Sequence, residues 1–596
     1  MKFLLVAVNA KYIHSNPAIY SLRAYAGEPL QRYVELAEYT INQYMQEILA
    51  DIYRRKPDVI GFSCYIWNWR QIRELLVELP KLLPETEIWL GGPEVSYDAD
   101  VILRHYPQLT GIMIGEGEVT FKELLEYYLR KDREDALKGI DGLCLPSGYT
   151  AFRDPVDMSR IPFLYYDLVP FENKIIYYET SRGCPYRCSY CLSSLERKVR
   201  FRDIDIIKKE LQFFLDNRVK QVKFVDRTFN CDHAHAMAVW QYIYKHDNGV
   251  TNFHFEISAD ILWEDEIALL SRFRPGLAQL EIGVQSVNPK ALQAIKRVMN
   301  VDKLEKTVAA IHRGRNVHQH LDLIAGLPWE DYESFGRSFD RVYRMRPEQL
   351  QLGFLKVLKG SEMWERAEEY GICYLEEPPY EVLYTKWLSY EDVLRLKQIE
   401  EMVEIYYNSG QFTHTLPFLE KAFISPFAMY EALADFYKRK GYFTASPARQ
   451  HRYQVLLAFA EEQDGERRAV YRELLTYDMY LRENLKSRPE FALELSCYKE
   501  AIRSFYKKEE QERKLLPDYE AYDWKQLSKM THLEPFAHPV WDMEGLLGEY
   551  DTCAAGNPSE EQAGQKPAGT FVLFDYQKRN PLNREAAVQC APLTEV

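Results

Sequence analysis

Short apolar runs alternate with amphipathic helical stretches in two successive series along this chain of 596 residues, and that alternation restricts the fold more than any other feature. Short continuous apolar runs are the pattern of strands buried on both faces, and the helical stretches between them supply the crossovers that parallel strands require. In the first series FLLVAV (3–8) reads as a buried parallel strand and RYVELAEY (32–39) as a second at the sheet edge. PDVIGFSCY, ETEIWLGG and LTGIMIGEGE read as the third to fifth, with INQYMQEILADIYRR, NWRQIRELLVELPKLL and VTFKELLEYYLRK as helices. Residues 1–136 are therefore expected to form an α/β domain with a doubly wound parallel sheet. Ligands of such sheets sit beyond the carboxyl ends of the strands. Here those ends are residues 9–16, 63–67, 91–97 and 115–118, rich in Gly, Ser, Asn and Glu.

The second series runs over 171–395. KIIYYETSRGC, QVKFVDRTF, NFHFEISADI, LAQLEIGVQS, QHLDLIAGLP and LQLGFLKVL are six strand-like runs with helical segments between them. Six such repeats predict a partial, TIM-like (β/α)6 barrel, again with its site at the carboxyl ends of the strands. Residues 137–170, broken by Pro155 and Pro162, read as a linker. From 396 to 596 the spacing turns helical and tyrosines multiply, which predicts a mostly α-helical third domain. Within it 551–569 is small, polar and rich in Gly and Pro, the composition of a mobile loop, and FVLFDYQKRNPL reads as a final strand. Single cores stop growing at roughly 250–300 residues, so three domains also suit the length.

Lys and Arg number 75 against 89 Asp and Glu, a net charge of −14, which disfavours a nucleic-acid partner. No run of about 18 apolar residues occurs, so no membrane span is expected. The opening MKFLLVAVNAKYIHS lacks a small-residue cleavage site and reads as a first strand, pointing to a cytoplasmic protein. Such a compartment keeps thiols reduced. Of the ten cysteines, Cys184, Cys188 and Cys191 fall together in SRGCPYRCSYCLSS, a C-x3-C-x2-C pattern directly after the first barrel strand. Soft thiolates select iron–sulfur clusters or zinc. A closed zinc site needs four ligands, and the fourth would have to come from a distance, such as Cys144 or Cys231. Three thiolates on a [4Fe–4S] cluster leave one iron open for chemistry.

The spacing, the aromatic Tyr190 before the third cysteine and the preceding strand resemble the radical S-adenosylmethionine (SAM) superfamily. The resemblance implies that Cys184, Cys188 and Cys191 are the catalytic, metal-binding residues. Their open iron would chelate SAM, and reductive cleavage would yield a 5′-deoxyadenosyl radical. It also implies an external electron donor of the flavodoxin or ferredoxin type. Further segments are similar to that superfamily's looser motifs: Asp226 and Thr228 in KFVDRTFN, Glu256 and Ser258 in FEISAD, Gln285 and Ser286 in EIGVQS, Asp322 in DLIAGLP, and KVLKGS (356–361). The arginine common near the position of Ser258 is absent here.

A doubly wound domain placed before such a barrel resembles the cobalamin-binding arrangement of the same superfamily. The resemblance assigns the corrin and its nucleotide tail to loops holding Asn9, His14, Ser63, Tyr65, Trp67, Gly91, Gly92, Glu94, Gly115 and Glu116. The D-x-H-x-x-G signature that supplies a lower cobalt ligand is missing; His14 is either that ligand or a polar loop residue. The helical region resembles an uncharacterised domain appended to one branch of these enzymes. The implied activity is methyl transfer from cobalamin to an unactivated carbon of a small-molecule or peptide substrate. A radical rearrangement or oxidation without methyl transfer, and a cobalamin- or redox-sensing binding protein, remain alternatives. A methylthiotransferase acting on tRNA would want a second cysteine trio in the first domain.

Overall fold

The computed structural model describes residues 1–130, 136–553 and 569–592. The chain divides into two compact units, 1–334 with 353–390, and 335–352 with 391–596.

The first unit opens with a seven-stranded sheet of β1 (Phe3–Asn9), β2 (Val34–Thr40), β3 (Val59–Ser63), β4 (Glu87–Gly91), β5 (Leu109–Met113), β6 (Leu143–Leu145) and β7 (Gly148–Tyr149), ordered β2-β1-β3-β4-β5-β6-β7. The first five strands are parallel, with β2 at the edge as its sequence suggests. Strand alternation explains the two layers of helix. Leu4, Val6 and Val8 of β1 pack with Ile48, Ile72 and Leu76 of helices Met45–Arg55 and Trp69–Leu82 on one face. Phe3, Leu5 and Ala7 pack with Ile19, Phe121 and Leu124 of helices Pro17–Ala26 and Gly117–Leu129 on the other. Each of these fully buried Val, Leu, Ile and Phe side chains contributes about 1.5–3 kcal/mol. Strands β6 and β7 join the far edge antiparallel, so part of the stretch read as a linker belongs to this sheet.

Next come β8 (Ile176–Tyr178) and a short antiparallel ladder of β9 (Ser181–Arg182) with β10 (Arg200–Phe201). Then follow β11 (Gln221–Phe224), β12 (Asn252–Ile257), β13 (Ala278–Gln285) and β14 (His318–Ala325), each parallel to its predecessor in the order β8-β11-β12-β13-β14. The sixth strand, β15 (Gln349–Phe354), returns the chain to this unit, where Leu355 N–H bonds Ala325 O at 2.9 Å beside the end of β14. A small hairpin, β16 (Cys373–Tyr374) with β17 (Val382–Tyr384), follows. This is the partial barrel expected from the six repeats.

The second unit is helical, built around Pro426–Lys440, His451–Gln463, Arg468–Arg482 and Lys499–Glu512. Its tyrosines are core: Tyr343, Tyr406, Tyr430, Tyr437 and Tyr471 are fully buried. Buried hydroxyls need partners; Tyr406 and Tyr437 bond each other at 2.6 Å and Tyr471 bonds Asp464 at 2.8 Å. An antiparallel sheet of β18 (Thr531–Phe536), β19 (Thr570–Arg579) and β20 (Ala586–Pro592) completes it. FVLFDYQKRNPL is thus the middle strand, not the last. The loop expected at 551–569 lies mostly outside the described residues; 551–553 close helix Met543–Cys553. Among the described residues no helix is long and apolar enough to cross a membrane.

Candidate functional site

Backbone geometry shapes the cysteine loop. Gly183 has φ +96, and a Cβ there would lie 2.6 Å from Lys198 O, so only glycine lets the chain turn under the β9–β10 ladder. Cys184 N–H then bonds Glu196 O at 3.0 Å, Cys191 N–H bonds Cys188 O at 3.1 Å, and Ser189 N–H bonds Ile295 O at 3.0 Å. Asp226, at the end of β11, anchors the loop's start. Its carboxylate accepts from Thr180 N–H at 3.0 Å and from the hydroxyls of Thr180 and Ser181 at 2.6 Å each. That use leaves Asp226 buried in scaffold rather than facing a ligand.

Around the thiols, Thr228 Oγ1 lies 3.6 Å from Cys184 Sγ and Arg297 Nη1 points at Cys188 Sγ from 3.8 Å. Burial raises the Cys188 thiol, and the Arg297 charge opposes that rise. All three cysteines are free thiols; Cys184 and Cys188 are buried and Cys191 is half-buried. Among the described residues, Ser189 Oγ, Gln285 Oε1 and Arg297 Nε are buried without hydrogen-bond partners. Gln285 itself sits at φ +72 beyond Gly283, whose missing Cβ leaves room for the Gln285 amide. Among the described residues no three His, Cys, Asp or Glu side chains converge as ligands of a single ion. A four-iron cluster does not require that convergence, because each thiolate binds a different iron. The donor set fits such a cluster.

The barrel lumen is polar where barrels of this kind are usually packed with branched apolar side chains. Alternation turns Lys223, His254, Glu256, Glu281, His318, His320 and Asp322 to one face of β11–β14, with Lys223 opposite His254 and Glu281 opposite His320 in register. Glu281 Oε2 accepts from Lys223 Nζ at 3.0 Å and His254 Nε2 at 2.9 Å. Burial alone would raise its pKa, but those two partners pull it down to about 2. His320 and Asp322 pair at 3.1 Å. Glu256 makes no hydrogen bond or ion pair among the described residues, and burial pushes its carboxyl up to about 7; Glu281 and Asp322 add to the rise and Arg227 opposes it. Ser258 and Ser286 are committed elsewhere. Ser258 N–H and C=O bond the Asn230 amide at 2.9 Å each, and Ser286 Oγ donates to Glu330 at 2.7 Å.

A cavity of about 900 Å³ joins the carboxyl ends of the first sheet to the start of the cysteine loop. Ser63, Tyr65, Gly91, Gly92, Gly115 and Glu116 line it. A Cβ on Gly92 would strike Cys64 O at 2.4 Å, whereas one on Gly115 would meet no atom within 4 Å, so the backbone at Gly115 faces open space. Asn68 fixes the Tyr65 loop, accepting from Tyr65 N–H at 2.8 Å and donating to Val8 O and Ser63 O at 3.0 and 2.9 Å. Tyr65 stacks on Trp67 with centroids 4.3 Å apart. The glycine-floored, aromatic-walled shape fits a large planar cofactor.

Four residues expected in this site, Asn9, His14, Trp67 and Glu94, lie off the cavity. Trp67 Nε1 donates to Val8 O at 3.2 Å. Asn9 bonds Glu38 at 2.9 Å and His14 O at 3.1 Å, holding its own loop. Glu94 accepts the Tyr380 hydroxyl. His14 Nδ1 is 2.5 Å from Tyr177 OH, and burial followed by repulsion from Lys11 lowers its pKa. The sequence reading missed the far walls, Tyr149, Phe152 and Phe163 from the supposed linker, and the charge network beneath them. Arg182 bonds Glu118 at 2.7 Å, Glu179 at 2.9 Å and Glu116 at 3.2 Å, and Arg200 meets Glu116 at 2.5 Å. Burial alone would raise Glu118, but Arg182 outweighs it and holds the carboxyl below its ordinary value.

Residues 4–125 match the B12 binding domain, 178–342 the Radical SAM superfamily and 368–550 a Protein of unknown function (DUF4080). The chain thus carries a B12 binding domain followed by a radical SAM domain. It is 27% identical over 371 residues to the cobalamin-dependent radical SAM methyltransferase TokK of Streptomyces tokunonensis, covering 54% of this chain and 51% of that one. It is 24% identical over 337 residues to the uncharacterized methyltransferase PH0819 of Pyrococcus horikoshii, covering 54% and 72%. The chain therefore spans about half of the first of these relatives. Among solved structures it resembles the cobalamin-dependent SAM radical enzyme OxsB with aqua-cobalamin and SAM bound, at a TM-score of 0.55 and 14% identity over 79% of this chain and 78% of that one.

Proposed function

We propose that this chain is a cobalamin-dependent radical SAM enzyme that methylates an unactivated carbon of a small-molecule or peptide substrate. One observation carries the reading: a single cavity touches both the glycine-rich strand ends of the B12 binding domain and residues on either side of the three cysteines, Arg182 and Gly183 before them and Leu192, Ser193, Leu195 and Glu196 after them. Bound together, a [4Fe–4S] cluster and SAM supply a 5′-deoxyadenosyl radical, and cobalamin supplies a methyl group. The chain's own work is positional. Cys184, Cys188 and Cys191 would hold three irons and leave the fourth for SAM. Gly115, whose backbone faces open space, and Gly91, Gly92 and Tyr65, which line the same cavity, would hold the corrin and its tail. The buried barrel behind the loop excludes water, which would otherwise quench a reactive intermediate. An outside protein of the flavodoxin or ferredoxin type would deliver the electron, and the supporting composition and motifs favour the cytoplasm.

The test is anaerobic. The full chain is reconstituted with iron, sulfide and hydroxocobalamin, its optical spectrum is recorded, and 5′-deoxyadenosine and S-adenosylhomocysteine are assayed. Bound corrin with both products supports methyl transfer. Deoxyadenosine without corrin leaves a radical enzyme whose first domain serves another purpose, and a reduced, loaded chain yielding no deoxyadenosine overturns the proposal.

A further inference from the structure

Arg227 stands apart from the other cations around the cavity. It follows Asp226 at the carboxyl end of β11, and its side chain is exposed where it lines the cavity. Arg182, Arg200 and Lys223 are all paired with carboxylates. Arg227 is not: among the described residues its guanidinium makes no hydrogen bond or ion pair, although the chain carries 89 acidic residues. Its electrostatic neighbours are Tyr65 of the first domain and Glu256 of the lumen. Glu179, another acid that lines the cavity, is bonded by Arg182 at 2.9 Å. A guanidinium offers five donors in a planar fork that matches a carboxylate or phosphate, and this one is left open to the cavity at the meeting point of two sites.

We propose that Arg227 anchors a carboxylate or phosphate group of the substrate, so that the methyl acceptor is an anionic molecule rather than a hydrocarbon. The inference rests on the radical SAM reading above and narrows its substrate class. The bond formed is a charge-assisted, bidentate hydrogen bond, and no covalent step is involved. An anion held at Arg227 would lie in the cavity that Tyr65 also lines, within electrostatic reach of Glu256. SAM carries a carboxylate and cobalamin a phosphate, so the same chemistry has two other sources, and the experiment separates them.

The test is residue-specific labelling of the wild-type chain loaded with cluster, cobalamin and SAM. Phenylglyoxal modifies accessible arginines, and peptide mass spectrometry reads the modified fraction at Arg227. Labelling should persist with both cofactors bound and fall by about three-fold or more when inorganic phosphate or acetate is added, because either anion occupies the fork. Protection by SAM alone or cobalamin alone would assign the guanidinium to that cofactor and overturn the proposal. So would labelling that neither phosphate nor acetate diminishes. Loading is checked first in the optical spectrum. A chain that took up neither corrin nor cluster would fail the parent reading, whereas a loaded chain with an unprotected Arg227 fails this inference alone.

Discussion

Glu256 shows how much of the site depends on single side chains acting through their surroundings. Its carboxyl is half-buried, faces Glu281 and Asp322, and is only partly offset by Arg227 and Lys223, so its pKa is pushed up to about 7. The sign of the linkage follows. A carboxyl whose folded pKa is raised binds more protons folded than unfolded, so stability falls as pH rises through the window from about 4.5 to about 7. Glu256→Gln should remove that slope, worth on the order of a few kcal/mol at pH 8, in urea unfolding of the cofactor-free chain. An unchanged slope would mean that Glu256 already has a partner in solution. Glu281 has the opposite sign. With its pKa held near 2 by His254 and Lys223, its contribution is complete above about 4.5 and disappears as pH drops through 2. Neither behaviour is legible in the sequence, because the partners come from four different strands and only the folded sheet brings them together.

Elements were far more legible than side-chain partners. The apolar runs, the helical spacing and the cysteine spacing are local patterns, and the strands, their order at the edge of the first sheet and the loop after β8 follow from them. Long-range commitments are not local. Glu94 was expected to face a cofactor, but Tyr380, 286 positions away, takes its carboxylate. Residues 143–149 lack a strong strand pattern, yet they close the first sheet because β5 would otherwise present an unpaired edge. The β9–β10 ladder is the element on which the site depends most directly. A methyl at Gly183 must push Lys198 O away from 2.6 Å and accept φ +96, a conformation that costs an L-residue about 1–3 kcal/mol. Gly183→Ala should therefore keep the far-ultraviolet dichroism of the wild type and lose much of its reconstituted iron. Full iron content in that variant would show that the ladder does not set the cysteine geometry. Cys184→Ala is the companion measurement, and its iron should fall below the wild-type stoichiometry.

At the scale of the first unit, the B12 binding domain and the radical SAM domain are joined through charge as well as through apolar contact. Arg182 belongs to the SRGC run, yet two of its three carboxylate partners, Glu116 and Glu118, sit at the carboxyl end of the first sheet. The third, Glu179, closes β8. Removing the cation while leaving the acids would strand the buried Glu118 carboxylate and two half-buried ones, and since breaking a fully buried pair costs about 3–5 kcal/mol the loss here is smaller than that. The consequence reaches both cofactors, because Glu116 and Arg182 line the same cavity and Arg182 lies two residues before Cys184. Arg182→Met should lower the urea midpoint and reduce the retention of iron and of corrin together. Glu116→Gln, which keeps the shape and leaves Glu118 and Glu179 on the arginine, should have a much smaller effect on both. If Arg182→Met lost corrin but kept its iron, the two domains would be holding their cofactors independently, and the shared cavity would be a neighbourhood rather than one site. Coupled loss is the expected result, since one guanidinium supports both walls.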